Sequence, residues 1–433
     1  MIPREGRPAS DVLADLRAHQ ADDVDWRAGR VFSLVYHAGD EHEQLIHDAH
    51  ALYASANLLN PMAFKGLRAI EKSIVESAGA LLHHPRAVGA VTSGGTESIL
   101  CAVAAYRDRA RRKQPWNRWP QLVVPRTIHP AFDKAAHYFG VELEKVDVDH
   151  EQRADVRAMA KAIGWRTIGL VASAPQYPHG VIDPIEQIGA LAESHRLPFH
   201  VDACVGGFVL PWLERGGRSL PRWDFRVRGV TSMSADLHKY AYAGKGASLL
   251  LWRTLEDFRD QIFVATDFPG GIYASPTLLG TRPGGPIAAA YAALQAMGED
   301  GYMALAAEAI DAADRLRAGI ATIDGLSVLG RPDATIVAYT GDGLFAVADR
   351  LEARGWSVDR QHRPTSIHLT VTANHAAIVD DYLADLRASV ADVRANPRLA
   401  KSGTAPMYGM AAKLPVRRLV ARNVRKVIAE LYK

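Results

Sequence analysis

A lysine that follows a histidine in a polar turn is the most chemically suggestive feature of the sequence. Residues 227–233 read as a short strand, the pair His238-Lys239 follows a polar turn, and residues 247–252 form a wholly apolar stretch. An ammonium between two buried strands is costly to desolvate, so we expect the pKa of Lys239 to fall and leave some neutral amine at pH 7. A neutral amine attacks aldehydes, as a Schiff-base lysine must. A surface lysine in a loop would have the same local sequence, so other residues must decide between the two interpretations.

A glycine-rich turn between a predicted strand and a predicted helix offers a site for an anion. Residues 87–91 are apolar, the turn contains Gly94, Gly95 and Thr96, and a long helix is predicted over residues 98–112. Such a turn presents backbone N–H groups and the positive end of a helix, and glycine lets an anion come close. By itself, a Gly-Gly-Thr turn is more often an ordinary loop.

Three further polar side chains follow predicted strands. Asp202 lies near the end of the apolar stretch 199–203, where a buried carboxylate needs a partner such as a cationic pyridinium N–H, although structural aspartates are commoner. His129 could stack on an aromatic ring, although helix capping or a place in the core is the commoner use of such a histidine. Tyr177 lies in a loop after another strand.

Residues 87–253 alternate predicted strands and predicted helices. This pattern predicts an α/β fold with a mostly parallel central sheet flanked by helices. Functional groups gather at the carboxyl ends of the strands in such sheets. The glycine-rich turn, His129, Tyr177, Asp202 and Lys239 all lie there by this interpretation. Their clustering favours a common site more than any single residue does.

The rest of the chain predicts three parts. We expect an N-terminal helical segment over residues 1–60, a large cofactor-binding domain over residues 61–310, and a small α+β C-terminal domain with a helical tail over residues 311–433. The tail spaces its apolar residues helically and carries a basic face over residues 416–431. We expect this helix to dock on the body with its basic face solvated, and contact with a membrane surface is the weaker alternative.

Composition limits the classes of function. The 433 residues are 48% hydrophobic and 23% charged, which is typical of a soluble globular protein with a sizeable core. A formal charge of +3 is too small to indicate a nucleic-acid partner. No secretory signal is visible, and no stretch has the roughly 20 apolar residues of a membrane span, so we expect a cytoplasmic protein without a transmembrane segment. Cys101 and Cys204 are too few for a disulfide framework or a zinc cluster, and we expect both to be buried and reduced.

Three closely spaced histidines do not make a convincing metal site. His42 lies five residues before His47 and eight before His50, which puts it off the helical face that the other two share. Helical ligand pairs are usually four residues apart on one face. We therefore predict no metal.

Several motifs together resemble the fold-type I pyridoxal phosphate (PLP) enzymes of the group II decarboxylase family. The motifs are residues 92–97, 200–203 and 236–239. Within this family the sequence is more similar to the soluble, bacterial sphingosine-1-phosphate lyases, through residues 36–42, 174–180, 240–246, 275–284 and 408–412. The resemblance is strong over roughly residues 30–300. It implies an aspartate aminotransferase-like fold, PLP as the cofactor, and a homodimer with active sites at the subunit interface.

The resemblance also implies a role for individual residues. Lys239 would form the Schiff base, Asp202 would pair with the pyridine nitrogen, His129 would stack on the ring, and Gly280 would reach the neighbouring subunit's site. The implied catalytic residues are Lys239, Asp202, Tyr177 and His129. The implied cofactor-binding residues are Gly94, Gly95, Thr96, His129, Asp202, His238, Lys239 and Gly280. The implied substrate-binding residues are Tyr36, His37, Lys245 and Tyr177. The sequence departs from the pattern at Asn60-Pro61, where the lyases often carry His-Pro.

The implied reaction is retro-aldol cleavage of the Cα–Cβ bond of a phosphorylated sphingoid base, such as sphingosine 1-phosphate. The products would be a long-chain aldehyde and phosphoethanolamine. Lys245, Tyr36 and His37 would bind the substrate phosphate, and Tyr177 or a neighbouring group would move protons. The first alternative is an amino-acid decarboxylase of the same family, which would need a cation for the substrate carboxylate. The second alternative is a non-catalytic PLP-binding protein of the same fold. This alternative is disfavoured because the sequence contains all the residue types that catalysis requires.

Overall fold

A seven-stranded sheet forms the centre of the large domain. The computed structural model describes residues 2–396, 398–399 and 417–432. The strand order is β1-β7-β6-β5-β4-β2-β3, and all neighbours are parallel except β7, which runs antiparallel to both β1 and β6. The prediction of a mostly parallel sheet is confirmed. The strands are β1 (Val88–Thr92), β2 (Gln121–Pro125), β3 (Glu142–Val146), β4 (Thr167–Ser173), β5 (Phe199–Asp202), β6 (Ser232–Ala235) and β7 (Ser248–Trp252).

Burial on both faces explains the composition of these strands. Every residue of β2, β4, β5, β6 and β7 is buried, and β2, β4 and β7 are accordingly mostly apolar in sequence. Helices accompany the sheet along the chain, and a two-stranded hairpin of β8 (Phe263–Ala265) and β9 (Tyr273–Ser275) follows β7. These helices are α3 (Lys65–Leu81), α4 (Gly95–Lys113), α5 (Ala131–Phe139), α6 (Val156–Ala162), α7 (Ile185–Ser194), α8 (Leu210–Arg215) and α9 (Leu255–Arg259).

A long helical stretch connects the two sheets. This stretch, α10 (Gly284–Ala321), consists of two helices that meet at a kink at Gly298, whose φ of 59° and ψ of 179° are not helical. The small domain has an antiparallel sheet in the order β10-β11-β13-β12. Its elements are β10 (Leu326–Val328), β11 (Ile336–Gly341), α11 (Leu344–Glu352), β12 (Asp359–His362), β13 (Thr365–Thr370) and α12 (Val379–Ala395).

The N-terminal segment lies against the small domain. It contains α1 (Ala9–Gln20) and α2 (Asp40–Leu52). The strand predicted over residues 31–35 is reduced to a single bridge between Val31 and Ser357. Phe32 is fully buried and stacks on His375. The chain then continues into the central site, as described below.

The tail forms the predicted helix, α13 (Arg417–Glu430). Its described side chains, 421–432, are exposed, among them Val424, Val427 and Leu431. The expectation that its apolar face docks on the body is therefore wrong for this part of the helix. The similar stretch 408–412 lies outside the described residues. In the described part of the chain, none of the helices is both long enough and apolar enough to cross a bilayer.

Candidate active site

Lys239 lies in the turn after β6, and its charge is set by a neighbouring acid. Its Nζ lies 2.7 Å from Oδ2 of Asp236. Burial alone would lower the pKa of Lys239, but the Asp236 carboxylate, with Cys204 and Tyr36, raises it above its ordinary value. The expectation of a lowered pKa is therefore wrong, because the ion pair outweighs desolvation.

Asp236 is the functional residue that the sequence analysis passed over. Burial would raise its pKa, but the charges of Lys239 and His238 lower it below its usual value. The side chain is almost completely buried. Its Oδ1 and the Nδ1 of His238 are buried polar atoms without a hydrogen-bond partner among the described residues. Its position three residues before Lys239 is the feature of the sequence that could have indicated this contact.

One cavity of about 710 Å³ brings the predicted residues together. Lys239 and Asp202 share this cavity, although they come from different strand ends. The predicted residues in its lining are Tyr36, Gly94, Gly95, Thr96, His129, Tyr177, Asp202, His238, Lys239 and Lys245. His37 and Gly280 are the two predicted residues that do not line it.

The glycine-rich turn connects β1 to the N-terminus of α4, as the sequence predicts. A Cβ atom on Gly95 would lie 2.7 Å from both Asp236 Oδ1 and Cys204 Sγ, so this position has no room for a larger residue. The first turn of α4 points its N–H groups and positive dipole end towards this region. The turn therefore has the shape and polarity of an anion cradle.

Glu97 fixes the cradle to a second loop. Its Oε2 accepts a hydrogen bond from Ser93 N at 2.6 Å, and its Oε1 accepts from Leu278 N and Leu279 N at 2.9 and 3.0 Å. The side chain is buried. The sequence analysis assigned no role to Glu97, because residues 278–279 are distant in sequence and the contact has no local signal.

Asp202 ends β5 with its carboxylate restrained. Its Oδ1 accepts hydrogen bonds from Cys204 N at 3.1 Å and from the hydroxyl of Ser234 at 3.2 Å. The side chain is buried and lines the cavity. These contacts hold one oxygen in place, so the acid is oriented before anything binds to it.

His129 combines the two uses that the sequence left open. Its Nδ1 accepts a hydrogen bond from Ala131 N at 3.1 Å at the start of α5, as a capping histidine does. The same side chain lines the cavity, with its ring centroid 6.3 Å from that of Tyr177. Capping therefore fixes the position of a ring at the edge of the cavity.

Tyr177 is held by the small domain. Its hydroxyl donates to Oδ2 of Asp359 at 2.9 Å, and its ring lies on that of His368 with centroids 4.2 Å apart. Burial and then the Asp359 carboxylate raise the pKa of Tyr177 above its ordinary value. Burial lowers the pKa of His368 to about 4, so its imidazole is neutral at pH 7. Neither partner was predicted, because each lies far along the chain.

The N-terminal segment contributes Tyr36 beside a second lysine, Lys245, which lines the cavity and is partly open to solvent. Lys245 Nζ donates to the carbonyls of Leu34 at 2.7 Å and His238 at 3.2 Å, and lies 5.1 Å from the centroid of the Tyr36 ring. Burial and then the charge of Lys239 lower the pKa of Lys245 to about 8. Burial raises the pKa of Tyr36 to about 12. A cation that is easily discharged therefore lies beside a neutral phenol.

His37 belongs to an ion-pair cluster next to the cavity. Its ring nitrogens lie 3.7 Å from carboxylate oxygens of Asp40 and Glu43. These three residues are the one group with metal-ligand spacing in the described ranges, and Arg27 lies 2.6 Å from Glu43 and 4.0 Å from Asp40. This cluster of His37, Asp40 and Glu43 is not the group of three histidines considered in the sequence. His42 instead lies 2.9 Å from the carbonyl of Tyr242.

The remaining sequence predictions fall at the edges of the site. Gly280 lies in the loop after β9, where a Cβ would be 3.5 Å from Tyr273 Oη. The Oδ1 of Asn60 accepts from Met62 N and Ala63 N and so closes a turn. Both cysteines are free and buried, as expected, and Cys204 lines the cavity.

Comparison with known proteins assigns this arrangement to a family. Residues 2–340 match the pyridoxal-dependent decarboxylase conserved domain. The chain belongs to the pyridoxal-dependent decarboxylase family. This family membership identifies pyridoxal phosphate as the cofactor, and it confirms the fold and cofactor that the motifs predicted.

Several relatives within the pyridoxal-dependent decarboxylase family match nearly the whole chain. The sphingosine-1-phosphate lyase of Arabidopsis thaliana is 42% identical over 421 residues, which is 95% of this chain and 77% of the relative. The probable sphingosine-1-phosphate lyase of Legionella pneumophila is 34% identical over 96% of this chain and 74% of its own length. The structure of the Burkholderia pseudomallei sphingosine-1-phosphate lyase superposes with a TM-score of 0.88 at 36% identity, covering 96% of this chain and 97% of that one. The glutamate decarboxylase of Lactobacillus brevis, at 20% identity and a TM-score of 0.80, shares the fold.

The cavity of this family member fits the cofactor chemically. It offers an amine at Lys239, an oriented acid at Asp202, and an anion cradle whose Gly95 leaves no room for a Cβ. The unpartnered Asp236 Oδ1 and His238 Nδ1 are buried polar atoms of cavity-lining residues, which a polar ligand would satisfy. The aldehyde, the ring nitrogen and the phosphate of PLP would therefore each find a complementary group in one cavity.

Proposed function

We propose that this chain is a PLP-dependent carbon–carbon lyase that cleaves the Cα–Cβ bond of phosphorylated sphingoid bases such as sphingosine 1-phosphate. The products are a long-chain aldehyde and phosphoethanolamine. The observation that carries the proposal is the nearly full-length identity to relatives named sphingosine-1-phosphate lyases. The cavity supports it, because a second cation, Lys245, lies next to the predicted cofactor residues and suits a phosphorylated headgroup.

Pyridoxal phosphate, when bound, supplies an electron sink for a bond broken at the substrate Cα. Lys239 is the amine that holds it, and this amine must first lose a proton. The Asp236 carboxylate, whose Oδ2 lies 2.7 Å away, stabilises the protonated amine, so the proton leaves when this ion pair is broken. Asp202 is proposed to pair with the ring nitrogen, and His129 to lie along the ring. The phosphate-binding residues are proposed to be Gly94, Gly95, Thr96 and His238.

Lys245 and Tyr36 are proposed to bind the substrate phosphate. Lys245 is protonated below its pKa of about 8, so it is mainly a cation at pH 7, and Tyr36 keeps its hydroxyl proton as a donor. His37 follows Tyr36 and is proposed for the outer part of the same phosphate site. Tyr177 is proposed to move the proton of the substrate hydroxyl, because its phenol lines the cavity.

A homodimer is the proposed assembly, with active sites at the subunit interface. Leu34, Leu278 and Leu279 line the cavity, and all three are exposed in the single chain, Leu34 by 79%. Phe263 and Phe268, nearby in sequence, are exposed as well. Exposed large apolar side chains of this kind suit an interface. A second copy would cover this surface, and Gly280 would then reach its site. Light scattering tests this, and a monomer with full activity would contradict it.

We also propose a cytoplasmic location. Both cysteines are free and buried, which suits a reducing compartment. Recovery of the native enzyme only from a membrane or secreted fraction would overturn this assignment.

The deciding experiment supplies purified, PLP-loaded protein with sphingosine 1-phosphate and measures the long-chain aldehyde. Carbon dioxide release from glutamate, tyrosine and Dopa is measured in parallel. We expect aldehyde from the wild type and none from Lys239→Ala. Carbon dioxide without aldehyde would favour the decarboxylase alternative. A borohydride-reducible adduct at Lys239 without turnover of any amine would favour the non-catalytic alternative.

A further inference from the structure

We propose that Asp359 of the small domain is a positioning residue that acts through Tyr177 and takes up the proton that Tyr177 receives from the substrate hydroxyl. The inference deepens the proposed lyase function and rests on it. It begins from one contact: the Tyr177 hydroxyl lies 2.9 Å from Asp359 Oδ2. The two residues are 182 positions apart and belong to different sheets.

The direction of this hydrogen bond decides what Tyr177 can do. An ionised carboxylate only accepts hydrogen bonds, so the phenol must donate its proton to Asp359. The lone pairs of Tyr177 Oη are then left to accept a proton from a group in the cavity. Burial and the Asp359 carboxylate raise the pKa of Tyr177, so a free phenolate is not available at pH 7. Tyr177 can therefore act as a base only if its own proton moves to Asp359 in the same event.

The surrounding contacts hold the pair in this arrangement. Asp359 is the first residue of β12 and lies opposite His368 on β13. His368 packs on the Tyr177 ring with an interplanar angle of 31°. The carbonyl of Pro178, the next residue, lies 3.0 Å from Gln361 Nε2 and 3.4 Å from His368 Nδ1. One edge of the small domain thus fixes both the ring and its backbone.

The proton transfer balances without an added reactant. The substrate hydroxyl proton moves to Tyr177 Oη, and the phenol proton moves to Asp359 Oδ2. The O–H electron pair becomes the second bond of the aldehyde carbonyl, and the electron pair of the cleaved bond stays with Cα. A second transfer then protonates Cα: Tyr177 Oη gives its proton to Cα while the Asp359 proton returns to Tyr177, which restores the carboxylate and the phenol.

A double-mutant cycle on turnover tests the coupling. We expect Asp359→Asn to lower kcat by about 10²-fold, as for loss of a general base, with KM nearly unchanged. Tyr177→Phe should have an effect at least as large, and adding Asp359→Asn to it should change nothing further. Asp359→Glu keeps the charge and should recover part of kcat. Asp342→Asn removes an exposed carboxylate of the same domain and is the matched control, with kcat unchanged.

Additive effects, or full kcat in Asp359→Asn, would overturn the inference. Thermal melting of each variant identifies any that fail to fold. If Asp359→Asn does not fold, Asp359→Glu replaces it in the comparison. The kcat of Asp359→Glu should lie between those of the wild type and Tyr177→Phe, and a kcat equal to that of the wild type would contradict the coupling.

A second measurement needs no turnover. Protein labelled with ¹³C at tyrosine Cζ is titrated, and Tyr177→Phe identifies the Tyr177 signal. In the wild type this phenol should titrate above the ordinary tyrosine range, and Asp359→Asn should move its titration to lower pH. An unchanged titration in Asp359→Asn would contradict the coupling between Tyr177 and Asp359. If the wild type forms no aldehyde but the titration shifts, the lyase proposal is wrong while the coupling is supported, so the two failures are distinguishable.

Discussion

The amine of Lys239 forms an ion pair with the carboxylate of Asp236 at 2.7 Å, within a buried turn of four residues. Desolvation alone would discharge this lysine, yet the nearby carboxylate keeps it protonated. Loading with PLP requires the neutral amine, so the proton on Lys239 must leave first. Asp236 therefore stabilises the protonated lysine and opposes the loss of its proton.

Asp236→Asn should let PLP load at lower pH. Without the carboxylate, burial is the largest remaining influence on Lys239, so its pKa falls and the neutral amine is present at lower pH. We expect the pH of half-maximal loading rate to fall by at least about one unit. The visible absorbance of the Lys239 adduct, followed after mixing at a series of pH values, measures this. Asp342→Asn is the control and should load as the wild type does; an identical pH profile for Asp236→Asn would refute the argument.

Lys245 makes substrate binding dependent on pH. Its pKa of about 8 means that it is charged below pH 8 and neutral above, whereas the substrate phosphate stays largely dianionic across this range. KM for sphingosine 1-phosphate should therefore rise as pH increases through 8. Lys245→Ala should raise KM at pH 7 by roughly tenfold to a hundredfold, the value of a charge-assisted hydrogen bond.

A conservative variant separates charge from shape at this position. Arginine stays protonated, so Lys245→Arg should make KM nearly independent of pH between 7 and 9. The absorbance of bound PLP should be the same in all three proteins. A KM of the wild type that is flat across pH 8 would show that Lys245 does not carry the phosphate.

Glu97 stabilises the anion cradle through three backbone N–H groups. Glu97→Gln keeps the size of the side chain but replaces one accepting oxygen with a donor, so the N–H group of Ser93, or those of Leu278 and Leu279, lose their partner. The free energy of unfolding should fall by about 1–3 kcal/mol. Urea denaturation measures it, with the exposed Glu76→Gln of α3 as the control. Equal stability of the two variants would be inconsistent with this account.

Local pattern was enough to predict the mostly parallel sheet and a cavity shared by most of the candidate residues. Strands such as β2 and β4 are short apolar runs that end in polar turns, and parallel order brings their carboxyl ends to one edge. Asp202 and His129 each follow such a strand, so their convergence could be inferred without any contact being known.

Pairings between distant residues could not be predicted. The Tyr177–Asp359 contact joins two domains, and nothing near either residue specifies the other. The predicted direction of the Lys239 pKa shift was wrong for a different reason. Asp236 lies only three residues earlier in the sequence, but only the fold shows that its side chain turns towards the amine. Burial could be read from the sequence, whereas the geometry of the pair could not.

Gly95 is the position where the smallest change should have the most specific effect. A methyl group there would lie 2.7 Å from Asp236 Oδ1 and from Cys204 Sγ, so Gly95→Ala must displace the acid that holds Lys239 or the cradle itself. We expect the apparent affinity for PLP to fall at least about tenfold, since both the phosphate and the amine lose their positions. Titration with PLP, followed by absorbance and by the rise in melting temperature on binding, measures it. Gly164→Ala, where the added atom meets nothing within 4 Å, is the control. Wild-type PLP affinity in Gly95→Ala would mean that the cofactor phosphate lies elsewhere.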